Sequence, residues 1–183
     1  MLIGVCGKSA SGKSTLARLL IEEKDAIHID IDKIGHDVVT IDDVKKELIK
    51  TFGEDVLINN EISRKKLGNI VFNSSQAMDK LTKITWQYME REVDKLLLEN
   101  KDKVIILDWL LLPKTKYFKI CDKRILLDIP FEIRIKRALE RDNITKEQFL
   151  LRDNAGINYN EKDFDHVIKN NEEKYLMEMI NLL

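Results

Sequence analysis

The chain has 183 residues, 44% hydrophobic and 34% charged, a balance that predicts one globular domain with a substantial core and argues against global disorder. Its 31 basic and 32 acidic residues leave a formal charge of -1, so neither a nucleic-acid nor a membrane partner is expected. No apolar run approaches the ~20 residues of a membrane helix. Cys6 and Cys121 are solitary, without C-x-x-C spacing, which predicts reduced thiols and a cytoplasmic protein.

Leu2 to Cys6 is a β-prone run, too short for a signal peptide's apolar region, so no leader is expected. It enters Gly7-Lys8-Ser9-Ala10-Ser11-Gly12-Lys13-Ser14, which matches G-x-x-x-x-G-K-[ST]. The spacing has a physical reason. Glycines permit the tight turn that points successive N–H groups inward at phosphate oxygens. The helix that follows, Lys13 to Glu23, adds its own unpaired N–H groups and positive end. Gly7, Ser9, Ala10, Ser11, Gly12, Lys13, Ser14 and Thr15 are therefore the predicted ATP-phosphate site. Within it Lys13 carries charge to the β- and γ-phosphates, and the Ser14 hydroxyl is a Mg²⁺ ligand.

Ala26 to Ile31 reads as a second strand, with Asp30 and Asp32 alternating against Ile29 and Ile31. At a strand's carboxyl end one carboxylate can accept the proton of an attacking hydroxyl and the other can serve a metal-bound water. We assign Asp32 to the first role and Asp30 to the second; helix capping by Asp is the competing reading. Thr40 to Phe52 predicts a helix stopped by Gly53, Ser63 caps a helix running through Phe72, and Ser74 or Ser75 opens a long one. Its stripe of Met78, Leu81, Ile84, Tyr88, Val93, Leu96 and Leu97 predicts packing. Val104 to Leu107 is a buried strand ending in Asp108, which resembles a Walker B aspartate and is a candidate Mg²⁺ residue; a turn or cap is the alternative.

Arg124 to Ile129 repeats the strand pattern, with Pro130 at the start of a helix. Arg134, Arg137 and Arg141 share one face of that helix. Arg137 and Arg141 are candidates to neutralise the transferred phosphate, and Arg134 reads as a solvated residue. Thr145-x-x-Gln148 has the form of a capping box, His166 to Ile168 of a last strand, and Tyr175 to Leu183 of an amphipathic helix. His28, His36 and His166 lack metal-ligand spacing, and Trp86 and Trp109 read as packing residues. Strands alternating with helices predict an α/β fold of the P-loop NTPase class, nucleoside-monophosphate-kinase-like. It has a five-stranded parallel sheet with helices on both faces and ligands at the strands' carboxyl ends.

The sequence resembles the dephospho-coenzyme A kinases, which phosphorylate the ribose 3′-hydroxyl of dephospho-CoA. The likeness rests on Gly7 to Thr15, Ile29 to Ile34, the Arg64-Lys65-Lys66-Leu67-Gly68-Asn69-Ile70-Val71-Phe72 stretch, Lys136 to Asp142, and Asp165 to Asn170. It implies a single kinase domain over residues 1–183, using ATP and Mg²⁺ and accepting dephospho-CoA. It implies Asp32 as base, Arg137 and Arg141 leading into a lid of about 140–163, and an acceptor-binding helical region of about 40–100. Three segments depart from the family pattern: Trp86-Gln87, Trp109-Leu110-Leu111-Leu112-Pro113, and Arg152-Asp153-Asn154-Ala155-Gly156. Two further readings stay open: a kinase of this fold with another nucleoside, nucleotide or metabolite as acceptor, and a nucleotide-binding regulatory module without phosphoryl transfer.

Overall fold

The computed structural model describes residues 1–154, 156–170 and 172–183; Ala155, which falls in the predicted lid, and Asn171 lie outside the described residues. The chain opens with β1 (Leu2–Gly7), α1 (Lys13–Lys24) and β2 (Ile27–Asp30). It continues through α2 (Ile31–Val38), α3 (Asp42–Phe52), β3 (Leu57–Ile58), β4 (Glu61–Ile62), α4 (Arg64–Val71) and α5 (Ser75–Glu99). Next come β5 (Ile105–Asp108), α6 (Lys116–Ile120), β6 (Lys123–Leu127) and α7 (Phe131–Asp142). α8 (Lys146–Asn154), β7 (His166–Ile168) and α9 (Glu173–Ile180) complete it. Contacts divide these elements into two compact units, Met1–Asp30 with Leu97–Leu183, and Ile31–Leu96.

The first unit holds the predicted five-stranded parallel sheet, in the order β2-β5-β1-β6-β7. The central strand shows why this sequence makes a two-faced sheet. Ile3 and Val5 point to one face and pack with Leu16, Leu19 and Leu20 of α1 and Leu176, Met179 and Ile180 of α9. Gly4 and Cys6 point to the other face. A Cβ on Gly4 would stand 2.9 Å from Cys121 Sγ and 3.0 Å from Leu112 Cδ2, so this glycine admits the segment around α6. Each fully buried leucine or isoleucine here contributes about 1.5–3 kcal/mol of transfer free energy. β1 connects through α1 toward β2, whereas its neighbour β6 leads away toward β7. That reversal makes a switch point at the strands' carboxyl ends, where ligands gather.

The second unit is helical with one small hairpin. Gly53 (φ 82) ends α3 as predicted, and the Ser63 Oγ accepts from Lys66 N–H at 3.4 Å to cap α4. Leu67 and Val71 make the buried side of α4, and Ile84, Met89 and Val93 that of α5. Sequence reading missed the β3–β4 hairpin. Its two-residue turn is Asn59-Asn60, both at positive φ (49 and 63), the geometry that favours asparagine and matches strand twist.

Two local boundaries differ from expectation. The second strand ends at Asp30, and Ile31 is already helical, so strand alternation does not reach Asp32. Pro130 occupies the position before α7 and not its first turn.

Candidate active site

The loop between β1 and α1 is shaped by its glycines. Gly7 sits at φ 153, and a Cβ there would lie 2.5 Å from Ser11 Oγ and 2.8 Å from the Leu127 carbonyl. Gly12 (φ 97) occupies the left-handed position that begins α1, where most side chains would be strained. Ala10 is also left-handed, at φ 60. The loop closes with Ser11 N–H donating to Lys8 O at 3.1 Å, and Thr15 N–H to Gly12 O at 3.0 Å. Lys13 folds its ammonium back onto Gly7 O at 3.1 Å, while Ser14 and Thr15 are exposed in the first turn of α1. Gly7, Ser9, Ala10, Ser11, Gly12, Lys13, Ser14 and Thr15 thus form one continuous turn onto a helix N-terminus, a geometry suited to an anion.

Asp30 and Asp108 are register partners on β2 and β5, so their carboxylates stand side by side at the carboxyl edge of the sheet. Asp108 is 5% exposed, and His28 Nε2 lies 3.4 Å from its Oδ2. Asp32 is exposed in the first turn of α2, where a carboxylate interacts favourably with the helix N-terminus. Among the described residues no group of three or more His, Cys, Asp or Glu could hold a metal. What the sheet edge and loop do offer is hard oxygen: two carboxylates and the Ser14 hydroxyl. That set fits Mg²⁺, which keeps several waters and takes one or two carboxylates along with substrate phosphates.

The three arginines of α7 separate by exposure, and the expectation for Arg134 is overturned. Arg134 is 5% exposed, because Phe131 and Phe149 flank its guanidinium and Asp153 of α8 supplies a buried counter-charge. It donates through Nε to Ile129 O at 2.9 Å and through Nη1 to Ser9 O at 3.3 Å. Arg137 is half-buried on the same helix. Arg141 is exposed and binds Asp142 at 2.6 Å; that hydrogen bond raises the Arg141 pKa and holds Asp142 below the usual carboxylate range. Asp142 also pairs with Arg152 at 3.6 Å.

Tyr159 has no signal in the sequence, yet its hydroxyl accepts from Gly7 N–H at 3.3 Å and donates to Leu110 O at 2.8 Å. It ties the start of the phosphate loop to the segment after β5. A cavity of about 440 Å³ adjoins Lys8, between Ile129, Phe131, Arg134, Tyr159 and Lys169. The Trp109–Pro113 departure is a packing feature, since Trp109 and Leu112 are buried and Trp109 N–H donates to Val5 O at 3.2 Å. Trp86 is half-buried on α5.

The dephospho-CoA kinase family model matches residues 1–175. The chain belongs to the dephospho-CoA kinase family. It is 36% identical to the dephospho-CoA kinase of Fusobacterium nucleatum, over 93% of this chain and 90% of that one. It is 35% identical to the dephospho-CoA kinase of Listeria innocua, over 93% of this chain and 88% of that one. The crystal structure of TT1252 from Thermus thermophilus superposes with a TM-score of 0.81, covering 97% of this chain and 92% of that one at 24% identity. That likeness shows the fold, an α/β arrangement of helices around a five-stranded parallel sheet, as the strand order had indicated. Family membership makes the chain a kinase that uses a nucleoside triphosphate.

Proposed function

We propose that this protein transfers the γ-phosphoryl group of ATP to the ribose 3′-hydroxyl of dephospho-CoA, yielding coenzyme A. The observation that carries this reading is an intact phosphate loop within a family match spanning residues 1–175. In this reading Ser14, Asp30 and Asp108 hold Mg²⁺ directly or through water. Held there, Mg²⁺ would supply positive charge to offset that of the ATP phosphates.

The chain's own groups supply the rest. Loop N–H groups and the α1 N-terminus hold the phosphates, and Lys13 leaves Gly7 O to meet the β- and γ-oxygens. Asp32 takes the proton of the attacking hydroxyl, and Arg137 and Arg141 offset charge on the transferred group. The cavity beside Lys8, with Ile129, Phe131 and Tyr159 on its walls among charged residues such as Arg134 and Lys169, has room for the nucleoside end of ATP. Residues of about 40–100 bind the acceptor and residues of about 140–163 act as a lid within one kinase domain. We place the protein in the cytoplasm. Among the described residues no helix is long and apolar enough to cross a membrane.

The test is incubation of purified protein with ATP, Mg²⁺ and dephospho-CoA, with the product assigned by phosphorus NMR. A 3′-phosphate is expected, and EDTA in excess of Mg²⁺ should stop its formation. A phosphate at any other position, or equal rates with and without EDTA, would refute the assignment.

A further inference from the structure

The phosphate loop contains a feature that its own residues do not explain. Ala10 holds φ 60, a conformation disfavoured for a residue with a Cβ. The peptide before it is trans and planar, so the Ser9 carbonyl and the Ala10 N–H point in opposite directions. The Ser9 carbonyl is held by Arg134 Nη1 at 3.3 Å, from a helix more than a hundred residues away in sequence. Arg134 is itself fixed three ways: by Ile129 O at 2.9 Å, by both carboxylate oxygens of Asp153, and by burial beside Phe131 and Phe149. The same Asp153 carboxylate reaches Lys8 at 3.9 Å, a weaker contact because Lys8 is about one-third exposed.

The geometry points to the buried Arg134–Asp153 pair as a positioning device: it anchors the Ser9–Ala10 peptide so that the Ala10 N–H faces the ATP phosphates. Arg134 is a positioning residue, acting through the loop's backbone. Its planar fork explains why arginine stands here, since Nε, Nη1 and Nη2 meet Ile129 O, Ser9 O and both Asp153 oxygens from separate fixed positions, whereas lysine has one nitrogen. Asp153 keeps the guanidinium from turning toward the phosphates and links α8, in the lid region, to the loop. The inference rests on the kinase reading only in that this loop binds ATP; it is independent of the acceptor.

Replacing a buried ion pair by apolar residues is often neutral for stability, whereas removing one partner is not. The deciding variant is therefore Arg134→Met with Asp153→Leu, compared with wild type in melting temperature and in affinity for a non-hydrolysable ATP analogue and for tripolyphosphate. We expect a melting temperature near wild type and about tenfold weaker binding of both ligands, the effect of losing a hydrogen bond from a charged donor. Unchanged affinity for both would make the pair structural and overturn the inference. Weaker analogue binding with unchanged tripolyphosphate binding would overturn it too, by making Arg134 a contact of the nucleoside. If the double variant does not fold, Arg134→Lys decides by the same two affinities, with intermediate weakening of both expected. Wild type that binds neither ligand would refute the phosphate-loop reading itself, a result distinct from either failure above.

Discussion

In the proposed reading the sheet-bearing unit holds the ATP phosphates largely through backbone N–H groups, whereas the helical unit Ile31–Leu96 holds the acceptor through side chains on α2 to α5. A site made of N–H groups demands particular residues at fixed spacing, since a Cβ on Gly7 would meet Ser11 Oγ at 2.5 Å and Gly12 holds a left-handed conformation that strains most side chains. A site made of side chains on helices admits many replacements at equal stability. The proposal puts the Trp86-Gln87 departure on α5 in that second kind. Phosphate chemistry is thus recognisable across a whole fold class, and acceptor chemistry only within a family.

That contrast is broken most directly by Lys13→Ala. Turnover should fall by about 10³-fold or more with the far-ultraviolet circular dichroism unchanged, because the lost charge acts on phosphate charge in the transition state. A folded variant with wild-type turnover would remove the loop from catalysis. In the helical unit Asp32→Asn should lower kcat by about 10²-fold and leave ATP affinity nearly unchanged, since the amide keeps the shape and loses the basicity. Loss of melting temperature with kcat preserved would instead make Asp32 a helix-terminus residue.

The core of the sheet unit can be probed through its two thiols. Burial pushes the Cys6 thiol far above its ordinary value and the Cys121 thiol up to about 12. Below pH 9 both states are protonated and this contribution to stability is fully present. As pH rises from 9 toward 12 the unfolded thiols ionise while the native ones stay neutral, so stability should decline. Native protein at pH 8.5 should resist iodoacetamide and react on addition of urea. Rapid alkylation without denaturant would mean that the sheet opens readily at β1 and α6.

The smallest effects compare two helix caps. Thr145 N–H donates to Gln148 Oε1 at 3.1 Å and Gln148 N–H to Thr145 Oγ1 at 3.3 Å, the reciprocal box read from the sequence. Thr145→Ala should cost about 1 kcal/mol, a shift of roughly 2–4 °C for a chain of this size. Ser63→Ala, which breaks a single 3.4 Å bond in the helical unit, should shift the midpoint less. Calorimetric scans of both variants give the order directly.

Much of the fold was legible because strand and helix periods are local: the five strands fall within a residue or two of where the pattern put them, and the phosphate loop and the caps at Ser63 and Thr145 where it predicted, although the second strand stops short of Asp32. What escaped is long-range. Arg134 read as solvated since its partner Asp153 is nineteen residues away and pairs only after α7 and α8 fold together. Tyr159 reaches Gly7 across more than a hundred residues, and nothing near it in the chain marks it. The Asn59-Asn60 turn did carry a local signal, two residues tolerant of positive φ between short apolar runs.

The central claim is that dephospho-CoA is the acceptor. With isotope-labelled ATP and Mg²⁺, initial rates on dephospho-CoA, adenosine, AMP and a panel of sugars measure it. Binding energy from the remote part of a long acceptor should appear in kcat, so dephospho-CoA should exceed adenosine and AMP in kcat/KM by about 10²-fold or more. Robust transfer to another nucleoside or sugar, with none to dephospho-CoA, would contradict the account while leaving the phosphate loop's role intact.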